Sequence, residues 1–406
     1  MKYYMLASMP FFVCATLTAL MLLELAQRPR RALTALTVFM ATATLLYFAH
    51  CAFFCRETRL IPLTDTLYCF CNPLVYPLYY IYVKQLTTLR TPWWHLAALV
   101  APALVCGAVV GVLYWLMSPE ETARFVEGYL YRHQRVGGGL VSWQLAAHQT
   151  VQVLFAVQVV VFLWLGYRRM RHYDHQLACL YSSPEDKQLT WVKLMLIIFS
   201  GTSVISLVSN MVGRYRFAGD EALLVIPSTL FTLLLFTVGY TGLKQKGIEE
   251  LYDGDELLPT PEPALQPLQT AVAVKPQTGE AEKAGDAQSK EAEIEPLRMQ
   301  IERLMNEERL YLDPQLKLVD LVQRLGSNRN YVYQAINVEM GMSFSEYVNR
   351  MRVDYAEQLL LRHPTMTLAE VAECSGFASS TSFYRNFKLL RGCSPKEAVA
   401  RQQRFI

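Results

Sequence analysis

Seven apolar runs crowd the chain before residue 245, each of about twenty residues or slightly more, the length a helix needs to cross the hydrocarbon core of a bilayer. They fall at roughly 4–26, 33–55, 61–83, 93–117, 143–167, 191–213 and 222–243. Nothing else in the sequence restricts the fold as strongly, because backbone in lipid must satisfy its own N–H and C=O groups. Hydrophobic residues fill 52% of the 406 positions and charged residues only 18%, too apolar a balance for a wholly soluble chain. The third run is interrupted by Asp65, Asn72, Pro73 and Pro77, and proline inside a span kinks it and frees carbonyls that neighbours must satisfy. The first run carries no A-x-A cleavage site and is expected to be a retained membrane helix. Gly107 and Gly111 form a GxxxG in the fourth run, which predicts close helix packing.

Basic residues give the runs a direction. Arg28, Arg30 and Arg31 follow the first, Lys84 and Arg90 the third, Arg168, Arg169 and Arg171 the fifth, and Lys244 and Lys246 the seventh. The positive-inside rule makes those loops cytoplasmic and puts the N-terminus outside. Polar residues within the runs are where a ligand site is expected. Gln144, His148 and Gln152 recur every fourth residue and share one face of the fifth helix, as Ser206 and Asn210 do on the sixth. With His50 and Asp65 they lie in the outer half, either as a sensor pocket for an unknown signal ligand or as hydrogen-bonding contacts between helices. The nine cysteines include no CxxC and match neither a zinc pattern nor a secreted disulfide framework, so no metal site or cofactor is expected. Cys51, Cys55, Cys69 and Cys71 gather near the outer ends of the second and third runs, as a redox pair or as core packing. The loop 118–142 is either a lid on the pocket or a surface connector.

Residues 246–295 change character, to Pro, Ala, Glu, Gln, Thr and Lys with acid in excess. Such a segment cannot bury a core and is expected to be a disordered linker with an r.m.s. reach of about 35 Å. Beyond it Leu297, Ile301, Leu304 and Met305 share one face of a helix that either packs on the C-terminal domain or pairs two chains into a homodimer.

Near the C-terminus, TLAEVAECSGFASSTSFYRNFKLLRGCSP spells two short helices around a turn. Thr367 and Glu370 make a capping box, Gly376 supplies a backbone position with φ > 0, and Ser379 caps a second helix that turns Phe383 and Phe387 inward. That is either a helix-turn-helix, whose second helix enters a DNA major groove, or an ordinary helical hairpin. The series Gly376, Phe377, Phe383, Arg385, Phe387, Lys388, Gly392, Ser394 and Pro395 resembles the second helix-turn-helix of AraC/XylS-type transcription regulators. The resemblance continues upstream through Leu318, Leu321, Tyr331, Gly341, Ser343, Phe344, Tyr347, Arg352, Ala356, Leu359 and Leu360. Val322 and Ile336 depart from the family's usual Ala and Phe but remain apolar.

The resemblance implies two helix-turn-helix units over 296–406, spaced by a long helix that opens at the Ser343–Glu346 capping box. Double-stranded DNA is then the partner. Asn330, Tyr333 and Gln334 in the first unit, with Ser380, Thr381 and Arg385 in the second, are placed to read bases. Arg329, Arg350, Lys388 and Arg391 are placed to hold phosphate. The expected fold is therefore all-α: a seven-helix transmembrane bundle over 1–245, the linker 246–295, and an AraC-like domain over 296–406. The expected function is a membrane-bound transcription regulator of the bacterial inner membrane, spanning the lipid bilayer with its C-terminal domain cytoplasmic. A transporter carrying its own regulator, or an anchor released by linker proteolysis, are the alternatives. No P-loop, nucleophile elbow or kinase motif is present, so no enzyme is expected.

Overall fold

The computed structural model describes the backbone of residues 2–87, 92–184, 190–217, 221–244 and 297–398. The linker 246–295 lies outside the described residues. The described chain is helical, with one isolated antiparallel bridge between Tyr181 and Lys317. It divides into two compact units, Met1–Arg171 with Leu189–Glu256, and His172–Gln188 with Leu257–Ile406.

The first unit holds α1 (Lys2–Gln27), α2 (Arg31–Phe54), α3 (Ile61–Cys71), α4 (Val75–Thr87), α5 (Trp93–Leu116), α6 (Pro119–Ala123), α8 (Thr190–Val212), α9 (Arg214–Phe217) and α10 (Glu221–Lys244). It also holds α7 (Leu140–Leu180) as far as Arg171. Among the described residues, six helices are long and apolar enough to cross a membrane, within α1, α2, α5, α7, α8 and α10. The expected third span is instead two short helices, α3 and α4, joined by a 3-10 turn at Asn72–Leu74. Pro73 explains the break, since it has no N–H for the carbonyl four residues back and its ring crowds that turn.

α3 packs between α2 and α5. The expected close packing at the GxxxG is present: a Cβ on Gly107 would lie 2.7 Å from Phe70 Cβ, so α5 backbone approaches α3 directly. The first part of loop 118–142 packs onto the bundle, and most of 132–139 is exposed. A Ser118–Glu121 capping box starts α6, which runs on as a π-helical segment, Arg124–Tyr131. Phe125, Val126 and Leu130 from that segment are buried against Phe53, Val110, Tyr114, Val141 and Val151.

The second unit contains α11 (297–307), α12 (Leu318–Leu325), α13 (Arg329–Gln334) with its π-helical continuation Ala335–Glu339, α14 (Phe344–Arg362), α15 (Leu368–Cys374) and α16 (Ser380–Arg391). Two cores organise it. Leu297, Ile301 and Met305 of α11 pack with Leu318, Leu321, Val332 and Ile336 around the first helix pair. Val371, Ala372, Phe377, Phe383 and Phe387 pack with Val353 and Ala356 around the second. Thus α11 lies on the first helix pair, and the apolar departures at Val322 and Ile336 still face that core.

The unit also takes in His172–Gln188, a segment from the loop between the fifth and sixth spans. Leu180 packs on the first core, the Ser182 N–H donates to the Leu316 carbonyl at 3.1 Å, and the Ser345 hydroxyl and Asn349 amide donate to the Ser182 carbonyl.

Candidate functional sites

The second helix pair forms as its residues dictate. Thr367 and Glu370 satisfy each other's N–H groups, and α15 ends at a turn in which Gly376 has φ +79°. A Cβ there would stand 2.6 Å from Leu312 Cα, so both torsion and space require glycine. The Ser379 hydroxyl accepts from the Ser382 N–H and opens α16. Phe383 and Phe387 are wholly buried, which leaves Ser380, Thr381, Arg385 and Lys388 exposed along the opposite side. Arg391 is engaged elsewhere, donating to Glu357 at 3.0 Å and pairing with Asp354 on α14.

In the first pair the Asn328 side chain accepts from the Asn330 N–H and caps α13, after the left-handed Gly326 that ends α12. Asn330 and Gln334 are exposed and Arg329 is half-buried. Tyr333 departs from the expected outward position. It is half-buried against the first core, and its hydroxyl donates to Cys179 Sγ at 4.0 Å. Burial, with the neighbouring Cys179, pushes its phenol up to about 12.

Between the two pairs lies Arg352, wholly buried on α14. Its guanidinium donates to the carbonyls of Tyr311 and Asp313, both at 2.7 Å, and to Asn349 Oδ1 at 3.2 Å. Two further bonds reach the hydroxyls of Ser182 and Ser183, each at 3.1 Å. Five neutral oxygens thus accept from this one buried cation and stand in for water around it.

The candidate sensor residues of the first unit fall into two groups. His50 and Ser206 line a cavity of about 150 Å³ with Tyr47, Tyr68, Asn72 and Tyr76. His148 and Gln152 line a second, of about 390 Å³, with Cys69, His133 and Gln149. Tyr68 and Asn72 border both. Asp65 is buried beside the second, and the side chain of Asn210 lies outside the described residues. His148 Nε2 lies 2.7 Å from Asp65 Oδ2, and that same oxygen accepts from the Tyr114 hydroxyl at 2.8 Å. Gln144, one turn before His148, is completely buried, and neither atom of its amide group has a hydrogen-bond partner. Spacing in the sequence does not single out Tyr114 and Cys69, because they meet His148 only across three helices. All nine cysteines are free, with Cys51 Sγ 3.8 Å from Cys55 Sγ one turn away on the same stretch.

Residues 321–401 match the family described as a helix-turn-helix domain. Over 83 residues the chain is 36% identical to the uncharacterized HTH-type transcriptional regulator YtdP of Bacillus subtilis, covering 20% of this chain and 11% of that one. It is 30% identical over 82 residues to the Msm operon regulatory protein of Streptococcus mutans, covering 20% and 29%. A third relative, the Probable transcriptional regulator LumQ of Photobacterium leiognathi, is 31% identical over 96 residues, covering 24% and 37%. The chain therefore spans well under half the length of each of these relatives. No solved structure matches it. Helix order, caps and buried phenylalanines agree with that match: residues 321–401 form an AraC-type helix-turn-helix domain of the kind found in transcriptional regulators.

Proposed function

We propose that the protein is a membrane-bound, sequence-specific transcription regulator whose membrane half is the sensor. One observation carries this reading: an AraC-type DNA-binding domain shares a chain with six helices long and apolar enough to cross a bilayer. The broken pair α3–α4 supplies a seventh crossing, so the N-terminus lies outside and the DNA-binding domain in the cytoplasm, in keeping with the basic loops. Asn330, Gln334, Ser380, Thr381 and Arg385 read bases, and Arg329 and Lys388 hold phosphate. Tyr333 contributes less than its position suggests, since its hydroxyl is already engaged. The signal enters through the buried polar groups at the two cavities.

Chromatin immunoprecipitation with the intact protein, alongside membrane fractionation, tests this. A membrane-embedded protein enriched at discrete promoters is the expected result. His148→Leu should then change the transcriptional response while DNA affinity of the excised 296–406 fragment stays as it was. Normal signalling by a normally inserted His148→Leu protein would favour a plain anchor.

A further inference from the structure

Asp65 and Cys69 stand one helical turn apart on α3, and His148 comes to them from α7. All three are buried, and their donor atoms lie within 4.8 Å of one another. We propose that they form a site for one thiophilic divalent transition-metal ion, with Zn2+ as the natural occupant.

The orientation of the imidazole carries the inference. His148 Nδ1 lies 2.8 Å from the Gln144 carbonyl oxygen, which can only accept, so Nδ1 bears the hydrogen. Nε2 of a neutral ring then points a lone pair at Asp65 Oδ2 from 2.7 Å, lone pair against lone pair. At this hydrogen-bond distance a proton bridges them, and a metal would take that proton's place by parting the two donors. A proton accounts for that pair, with the Cys69 thiol beside the ring. A metal uses all three converging donors. Thiolate, imidazole and carboxylate are the usual donors to Zn2+, and three protein ligands leave the fourth position for water. The buried Gln144 amide lies beside the Tyr114 hydroxyl, where it can help hold that water.

The outer contacts also have the form that metal ligands require. The ligating histidine donates its other N–H to a backbone carbonyl, and the carboxylate accepts from Tyr114. Charge closes as well: one carboxylate and one thiolate neutralise a divalent ion, so the filled site is neutral in a dry environment. Entry displaces the proton between Asp65 and His148 and the thiol proton of Cys69. The second cavity, lined by Cys69, His148, His133, Gln149 and Gln152, gives a hydrated ion a polar approach. Phe125 covers the His148 ring at 5.0 Å between centroids and shuts the other side.

The site itself stands on this geometry; that its occupancy is the signal rests on the sensor reading above. The test is a Co2+ titration, followed by Zn2+, of the full chain purified in detergent and stripped of metal. About one Co2+ per chain is expected, with a thiolate-to-cobalt charge-transfer band that Zn2+ abolishes. Cys69→Ser should lose the band, Cys71→Ser should keep it, and Tyr114→Phe should weaken affinity about 10–100-fold. Helical circular dichroism identifies variants that retain the fold. A helical wild-type protein that binds no Co2+, or a band that survives in Cys69→Ser, overturns the site. In cells, a promoter reporter should respond to Zn2+ and to a chelator in the wild type and not in Cys69→Ser. Binding in vitro with a reporter indifferent to metal overturns the signalling role and leaves the site standing.

Discussion

The guanidinium of Arg352 donates to the Ser182 hydroxyl across 3.1 Å, joining residues 170 positions apart. Its bonds to the carbonyls of Tyr311 and Asp313, and the Ser182 carbonyl that accepts from Ser345 and Asn349, belong to the same knot. Residues 296–406 alone therefore lack part of their own interior. A 172–188 peptide should raise the thermal stability of the 296–406 fragment, measured by circular dichroism. Arg352→Ala should destabilise the pair by about 1–3 kcal/mol, because it leaves the buried Tyr311 carbonyl without its donor. A fragment indifferent to the peptide would show that the segment is decoration.

Insertion is tested by reporter fusions and impermeant labels. Fusions should place the N-terminus and loop 118–142 outside, and residues 168–190 and the C-terminus in the cytoplasm. If α3–α4 does not cross, six spans would place both termini on the same side. An N-terminal fusion reporting from the cytoplasm would reveal that arrangement.

Arg385 and Phe383 separate contact from fold. Arg385 is exposed on α16 and Phe383 is buried, so Arg385→Ala should leave the circular dichroism of the second unit unchanged. Binding to a randomised duplex library should lose about 1–3 kcal/mol at one base position if the arginine reads guanine. If it holds phosphate, the loss is even across sequences and the salt slope flattens by about 1. Phe383→Ala should unfold the second helix pair, since truncating a buried phenylalanine costs about 3–5 kcal/mol.

The capping box of α15 has a pH signature. The backbone N–H of Thr367, and then its hydroxyl, hold the Glu370 carboxyl below its usual range. Its contribution is complete above the unfolded value, about 4.3, and is lost as pH falls through the lower folded value. Glu370→Gln should therefore be less stable than wild type in denaturant at pH 7, with the difference vanishing in strong acid.

Much of this molecule is legible because its signals are local. Capping boxes at Ser343 and Thr367, the turn at Gly376 and the inward Phe383 and Phe387 lie within a few residues of one another, where caps and helical period decide the outcome. The close approach at Gly107 is equally readable. Cys69 is not, because the cysteines pair in no sequence motif and its neighbours arrive from α5 and α7. Helical period turns Tyr333 outward, but Cys179 meets its hydroxyl on that side. The break at Asn72–Leu74 can be anticipated from Pro73, though the resulting pair of helices cannot.

The DNA-binding unit is also discontinuous in time. Ser182 leaves the ribosome 170 residues before Arg352, an interval on the order of ten seconds or more at ordinary rates of synthesis. During it α8 and α10 emerge, before Ser345 and Asn349, the donors to the Ser182 carbonyl, have been made. The knot around Arg352 can close only once those apolar helices have been made, so order of synthesis sets a schedule.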